Sequence, residues 1–155
     1  MFNFAHQFIV MPEESKAIRQ LINDIIALRV TIKQFYFQRV KELNLDLTYE
    51  MVQVLAVLWR NKEVNQQDIA DEVQKSKASV TPLIDNLCKR DLVERIPDPN
   101  DRRNNRITLT EKGWDYQKKV EPIQKELYEL IVEKSKIKHI TELSKQLQNL
   151  KKAIE

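Results

Sequence analysis

Basic side chains are concentrated in one stretch of this sequence, residues 75–106. The stretch holds eight basic and five acidic residues, and its excess of three positive charges equals the net charge of the whole chain. The basic residues are Lys75, Lys77, Lys89, Arg90, Arg95, Arg102, Arg103 and Arg106. Because a protein binds a nucleic-acid backbone by neutralising its phosphates, such a cluster favours a polyanionic partner.

Residues suited to catalysis or metal binding are few. The chain has one cysteine, Cys88, one glycine, Gly113, and two histidines that are far apart, His6 and His139. A single cysteine excludes an intramolecular disulfide and a Cys-rich metal site, and one glycine cannot build a phosphate-cradling loop. The sequence also lacks a nucleophile elbow and a paired-carboxylate motif. We therefore predict a protein that is not an enzyme and that carries no cofactor and no metal.

Two short helices joined by a brief turn are predicted to present the first part of the basic stretch. Asn65 and Asp68 form a variant of the capping box at the start of one helix, and Ser76 caps the next after the turn Gln74–Lys75. This pattern predicts a helix-turn-helix unit. The second helix starts with small polar residues, so its backbone N–H groups can approach a phosphate closely. We predict that its first turns contact DNA through Ser76, Lys77, Ser79 and Thr81.

A β-hairpin is predicted to present the remaining basic residues. Residues 92–96 and 106–110 alternate in the manner of strands, and the polar segment between them is rich in turn formers. Arg102 and Arg103 can extend from the hairpin tip into a minor groove, with Asp101 holding one guanidinium by a bidentate pair. The alternative for these residues is an ordinary exposed ion pair.

Long helices are predicted on both sides of this central region. Apolar residues recur at helical spacing from Ile18 to Leu43, and Thr48 can cap the following helix. Thr110 can cap a long helix that Pro122 should kink, and a last helix starts near Ile140. That last helix has a narrow apolar stripe, formed by Leu143, Leu147, Leu150 and Ile154. This stripe and the unusual length of the first helix predict a homodimer, with packing of the stripe inside one chain as the alternative.

These residues together resemble the MarR family of transcriptional regulators. The resemblance is carried by Asp98–Pro99–Asn100–Asp101–Arg102–Arg103 followed by residues 107–113, and it extends upstream in order and spacing. It implies a mainly α fold with a small β-hairpin wing, whose single domain spans 1–155. Residues 48–110 would form the winged helix-turn-helix lobe, and residues 13–45 and 111–155 would form dimerisation helices.

The resemblance also implies a function. Members of this family bind pseudo-palindromic operators in double-stranded DNA as homodimers and commonly repress transcription until a small-molecule effector releases them. By position, Arg103 is the wing arginine and Asp101 its anchor. The family's effector pocket would be lined here by Phe35, Tyr36, Arg39 and Trp59, although aromatic core is the more common role of such residues.

Three positions depart from the family pattern. Asp91 stands where many members have a helix-ending glycine, so the end of that helix must be formed in another way. Pro82 lies inside the predicted recognition helix and should cost it a hydrogen bond. The sequence Thr81–Pro82–Leu83 resembles a peroxide-sensing branch whose first-helix cysteine is absent here, and we expect Cys88 to be a half-buried filler without a redox role.

One function of another class is compatible with the same elements. A winged helix can dock a protein instead of DNA, and steep salt dependence of duplex binding would separate the two. No apolar run reaches the ~20 residues that a transmembrane helix needs. The start of the chain also lacks the basic flank and cleavage site of a signal peptide. We therefore expect a cytoplasmic protein with no membrane partner.

Overall fold

The computed structural model describes residues 13–99 and 105–155. These residues form six helices and three strands. The helices are α1 (Glu13–Glu42), α2 (Tyr49–Arg60), α3 (Gln66–Glu72), α4 (Lys77–Lys89), α5 (Glu111–Ser135) and α6 (Ile140–Lys152). The strands are β1 (Glu63–Asn65), β2 (Val93–Pro97) and β3 (Asn105–Leu109). The fold is thus mainly helical with a small antiparallel sheet, which confirms the predicted fold class.

Residues 1–49 form the first of two compact units, and its described part consists of α1 and the segment that follows it. Helix α1 begins with Glu13 and Glu14, whose carboxylates favour a helix N-terminus. It ends at a turn in which Asn44 adopts a left-handed conformation with φ 51°. The apolar side chains along most of α1 are exposed in the single chain, including those of Ile18, Ile22 and Ile26.

Residues 50–155 form the second unit, which contains the predicted winged helix-turn-helix. Its largest fully buried side chains come from α2, α3, α4, strand β3 and the residue before β2, namely Val54, Leu55, Val57, Leu58, Ile69, Val80, Ile84, Leu87, Ile107 and Leu92. Each buried aliphatic side chain of this size contributes about 1.5–3 kcal/mol relative to its exposed state. This shared core fixes the positions of α3, α4 and the sheet.

The sheet contains one strand more than the two that the sequence pattern predicts. The strand order is β1-β3-β2, so β3 is the central strand. Its residue Ile107 pairs with Val64 of β1 on one side and with Arg95 of β2 on the other. Strand β1 has only three residues, too few to display a recognisable alternation. It forms because Val64 is buried and because β3 offers an unpaired edge on that side.

The two prolines inside helices do not end them. Helix α4 continues through Pro82 and α5 continues through Pro122. Pro82 has no N–H to donate, so the predicted loss of one helical hydrogen bond follows from its position in α4. The side-chain amide of Asn86 donates to the carbonyl oxygen of Pro82 at 2.9 Å.

Candidate nucleic-acid interface

The turn between α3 and α4 is formed by local hydrogen bonds. Helix α3 begins at an Asn65 cap, whose side-chain oxygen accepts from the backbone N–H of Asp68 at 2.8 Å. The helix ends where Gln74 adopts φ 54° and Lys75 N–H donates to the Ala70 carbonyl at 2.9 Å. Four residues separate Glu72, the last residue of α3, from Lys77, the first residue of α4. The structure therefore contains the predicted helix-turn-helix with the predicted caps.

The first turn of α4 combines a side-chain cap with exposed polar residues. The Ser76 hydroxyl accepts from the backbone N–H of Ser79 at 3.2 Å and lies 2.8 Å from the Ser79 hydroxyl. Ser76, Lys77 and Ser79 are all exposed. A helix N-terminus favours an anion, and here the flanking side chains are small hydroxyls and one ammonium group. This turn can therefore accept a phosphate or approach base edges.

Thr81 differs from the other predicted contact residues of α4 because its hydroxyl is hydrogen-bonded to a side chain of another helix. It donates to the Lys77 carbonyl oxygen at 2.9 Å and accepts from the Gln66 side-chain amide at 2.5 Å. The Thr81 side chain is half-buried. Gln66 thus links the start of α3 to the start of α4, and this connection was not foreseen from the sequence. A polar residue at the first position of α3 was its only sequence signal.

Asp91 forms the end of α4 without the glycine of the family pattern. It adopts the left-handed conformation with φ 58°. Its N–H donates to the Cys88 carbonyl at 2.9 Å, and Leu92 N–H donates to the Leu87 carbonyl at 3.0 Å. Aspartate tolerates this backbone region better than most residues. An aspartate in the left-handed conformation therefore ends α4 in place of the glycine, with two backbone hydrogen bonds back to the helix.

The base of the wing is held by an ion cluster that the sequence did not suggest. The Arg106 guanidinium lies 3.0 Å from Asp98 Oδ2, through Nε, and 3.6 Å from Glu63 Oε2, through Nη1. The hydrogen bond that Arg106 donates to the Asp98 carboxylate raises the pKa of Arg106 above its ordinary value. The predicted wing residues Asp101, Arg102 and Arg103 lie outside the described residues. The segment that carries them is bounded by Pro97 and Asn105, which form the last residue pair of the ladder between β2 and β3.

Arg95 is a second cation of the basic stretch that pairs within the lobe. Its guanidinium lies 2.5 Å from Asp85 Oδ1 and 3.9 Å from the sulfur of Cys88. The pair joins β2 to α4, so Arg95 and Arg106 each have a carboxylate partner in the fold. Cys88 is half-buried, and burial raises the pKa of its thiol although Arg95 opposes the shift. A thiol held in its protonated form is a poor nucleophile.

The four residues proposed to line an effector pocket belong to two different units. In residues 1–49, Tyr36 is buried and meets Phe35 edge to face, with ring centroids 6.2 Å apart. The Arg39 guanidinium lies 5.2 Å from the centroid of the Phe35 ring. In residues 50–155, the half-buried Trp59 donates its indole N–H to the carbonyl of Gly113 at 3.1 Å.

Along residues 13–99 and 105–155, no group of three or more His, Cys, Asp and Glu side chains is arranged to hold a metal ion. None of the helices there is both long and apolar enough to cross a membrane.

The sequence is similar to a known protein family over the region that contains the helix-turn-helix. The model of the MarR family matches residues 47–104. The HTH-type transcriptional regulator SarZ of Staphylococcus haemolyticus is 30% identical over 84 residues, which are 54% of this chain and 57% of that protein. SarZ of Staphylococcus aureus (strain USA300) is 35% identical over 68 residues, which are 44% of this chain and 46% of that protein. The chain therefore spans about half the length of the curated relatives it matches.

Structural similarity extends over more of the chain. Reduced AbfR bound to DNA superposes with a TM-score of 0.75 at 25% identity, covering 93% of this chain and 100% of that one. A MarR transcriptional regulator from Methanosarcina mazei Go1 has a TM-score of 0.75 at 21% identity, covering 87% and 96% of the two chains. The second similarity concerns the fold alone.

Proposed function

We propose that this chain, whose residues 47–104 match the model of the MarR family, is a member of that family and a double-stranded DNA-binding transcriptional regulator. The proposal includes its action as a homodimer on a pseudo-palindromic operator, where it represses transcription until a small-molecule effector releases it. A DNA-bound protein among the structurally similar chains, reduced AbfR, supports the DNA-binding part.

The observation that carries the proposal is the exposed first turn of α4. Ser76, Lys77 and Ser79 surround a helix N-terminus that follows a short turn from α3. Helix N-termini bind phosphate through their backbone N–H groups, and short polar side chains let the helix enter a major groove. We propose that Lys77 and Ser79 contact the duplex and that Thr81 contributes by holding α4 in place.

The wing would supply the second DNA contact. Arg102 and Arg103 are separated from the sheet by only a few residues on either side, because the ladder ends at Pro97 and Asn105. Arginine inserted in a narrow minor groove senses its negative potential. We propose that Arg103 makes this contact and that Asp101 orients its guanidinium.

A homodimer would bury apolar side chains that a single chain leaves in water. No residue of α6 is buried; Ile140, Leu143 and Leu147 of this helix are exposed, and so is Ile154 just after it. Helix α1 exposes apolar residues along most of its length as well. Stable interfaces bury about 1,200–2,000 Å² in total, which two such helices per chain can provide. We propose that α1, α5 and α6 form the interface and that the aromatic residues Phe35, Tyr36 and Trp59, with Arg39, respond to an effector.

Charge reversal in α4 and in the wing tests the DNA-binding role. We expect Lys77→Glu and Arg103→Glu each to weaken binding to a labelled duplex, recovered from a random library by selection with the wild-type protein, by at least about tenfold. The matched control is Lys138→Glu, an equal charge change at an exposed residue between α5 and α6. If Arg103→Glu and Lys138→Glu bind the duplex equally well, the assignment of the wing is wrong.

Oligomeric state and effector response need separate measurements. We expect light scattering to give twice the 18.4 kDa mass of the chain. A monomer at micromolar concentration would contradict the dimer without contradicting DNA binding. Trp59→Phe should alter release of the duplex by an effector, once one is found, and leave affinity for the duplex in its absence unchanged.

A further inference from the structure

The three residues Glu63, Asp98 and Arg106 form an ion cluster at the base of the wing. Each comes from a different segment of the sheet, since Glu63 begins β1, Asp98 follows the end of β2 and Arg106 lies in β3. The guanidinium is closest to Asp98, with Nε and Oδ2 3.0 Å apart, and its Nη1 lies 3.6 Å from Glu63 Oε2. One cation of β3 therefore joins the start of β1 to the residue that follows β2.

The position of Asp98 makes this contact more than a surface ion pair. The backbone ladder between β2 and β3 ends at the pair Pro97 and Asn105, so Asp98 lies one residue beyond the last backbone pairing. Its side chain is only 14% exposed, against 31% for Arg106. Charge-assisted hydrogen bonds of arginine to carboxylate are directional as well as strong. The ion pair of Arg106 with Asp98 thus connects β3 to the chain after β2, beyond the last backbone pair of the ladder.

Arg106 is suited to fix a direction because its own backbone is held on both sides. It lies opposite Asn65 of β1 and opposite Ile96 of β2 in the sheet register. An arginine guanidinium is positively charged at any physiological pH, and the hydrogen bond that it donates to Asp98 raises its pKa further. Two carboxylates balance that charge within the lobe, which leaves Arg106 poorly placed to neutralise a phosphate.

We propose that Asp98 and Arg106 are positioning residues for DNA binding, and that their ion pair sets the direction in which β2 and β3 lead into the segment carrying Arg102 and Arg103. This inference rests on the proposed function. It assigns to Arg106 a role different from that of the other basic residues between 75 and 106. It also makes Asp98 favourable for binding a polyanion in spite of its negative charge.

The sign of the effect of removing Asp98 tests the proposal. Removal of a carboxylate near a DNA-binding surface should strengthen binding if only long-range electrostatics matter. Positioning requires the opposite result. We expect Asp98→Ala to weaken binding to the selected labelled duplex by about fivefold or more, a size typical of coupled neighbouring residues.

The matched control is Glu94→Ala, which removes an exposed carboxylate from β2 in the same lobe. We expect this variant to bind the duplex as well as the wild type does, or up to about threefold more tightly. Asp98→Glu keeps the carboxylate and should recover most of the affinity that Asp98→Ala loses. Circular dichroism should show that each variant is folded at the assay temperature, and Asp98→Asn replaces Asp98→Ala if the latter is not.

A double-mutant cycle separates positioning from charge. If the pair acts as a unit, Asp98→Ala and Arg106→Gln together should weaken binding no more than Arg106→Gln does alone. Independent charges would instead cancel and return the double variant to the affinity of the wild type. That cancellation, or tighter binding by Asp98→Ala, would overturn the inference while leaving the proposed function intact. Failure of the wild type to bind any duplex would overturn both.

Discussion

The hydroxyl of Thr110 donates a hydrogen bond of 2.7 Å to the carbonyl oxygen of Asp91. The same hydroxyl oxygen accepts from the backbone N–H of Gly113 at 3.1 Å and so caps α5. One side chain therefore connects the left-handed turn after the proposed recognition helix to the start of the long helix α5. A backbone hydrogen bond from Thr110 N–H to the Leu92 carbonyl at 3.2 Å reinforces this connection.

Replacing Thr110 by valine should destabilise the winged-helix unit. The isosteric variant removes both hydrogen bonds, and loss of a cap of this kind costs about 1–2 kcal/mol. Urea denaturation followed by circular dichroism measures the change in the free energy of unfolding. Thr110→Ser keeps the hydroxyl and should differ from the wild type by less than about 0.5 kcal/mol. Equal stability of the valine and serine variants would contradict the bridging role.

A side chain at position 113 should be even less tolerable. A Cβ added to Gly113 would lie 2.1 Å from the Leu92 carbonyl oxygen and 2.9 Å from a methyl carbon of Leu109. The first of these neighbours is backbone, so relief requires a shift of α5 away from the sheet. We expect Gly113→Ala to cost about 2 kcal/mol or more in the same urea experiment, the range of overpacked cores.

The control for this substitution is Glu121→Ala, at an exposed position of the same helix. It should change the free energy of unfolding by no more than about 0.5 kcal/mol. Trp59 provides a second readout because its indole N–H donates to the Gly113 carbonyl. If Gly113→Ala left both the stability and the tryptophan fluorescence unchanged, the close approach of α5 to the backbone of Leu92 would be contradicted.

Features set by neighbouring residues were the ones that the sequence predicted well. Asn65, Ser76 and Thr110 were each expected to cap a helix, and each accepts a hydrogen bond from the backbone N–H three residues later. A cap depends on the residue itself and on the next turn, so no knowledge of the tertiary fold is needed. Strand β1 was missed for the opposite reason, because its pairing with residues 106–108 spans more than forty positions.

Thr81 and Gln66 provide a prediction that separates base reading from positioning. If their side-chain hydrogen bond holds α4, Thr81→Val and Gln66→Ala should each weaken binding to the selected duplex by about fivefold, and the double variant should lose little more. The weakening should be the same on duplexes altered at single base pairs.

A base-reading threonine would behave differently. Loss of a direct base contact changes discrimination at one base pair by about tenfold. Such a change in Thr81→Val, combined with wild-type behaviour of Gln66→Ala, would contradict the positioning role. Thr81→Ser is the control that keeps the hydroxyl.

Cys88 should be unreactive in the folded protein. Burial raises the pKa of its thiol, so the thiolate needed for alkylation is scarcer than in an unfolded chain. We expect iodoacetamide to modify Cys88 more slowly in the native protein at pH 8 than in urea. Faster modification of the native protein would contradict this account and would favour a redox role for Cys88.

The same pKa shift has a consequence for stability. The folded state keeps its thiol proton at pH values where an unfolded thiol, with its ordinary pKa of about 8.5, has lost it. Ionisation of Cys88 should therefore leave the free energy of unfolding unchanged below that pH, and it should lower the free energy of unfolding as the pH rises above it. Cys88→Ala should lose less stability than the wild type between neutral pH and alkaline pH. A larger loss in Cys88→Ala would mean that the shift has the opposite sign.

The residue types of the candidate interface can be read from the sequence, but the ion pairs within it cannot. The basic stretch and the small polar start of α4 are properties of the residues themselves. The partners of Arg95 and Arg106 depend on which carboxylates the sheet register brings close, namely Asp85 and Asp98. A count of charges along the sequence therefore overstates how many cations are available to a phosphate backbone. The distinction matters most for Arg106, whose expected role changes from contact to positioning.

The dependence of duplex binding on salt concentration tests the central proposal most directly. Each phosphate that the protein neutralises contributes about −0.9 to the slope of log K against log salt concentration. For a dimer with two α4 helices and two wings, we expect measurable binding to duplex DNA at low ionic strength and a slope of about −4 or steeper. Absence of binding to any double-stranded DNA at low ionic strength would contradict the proposal.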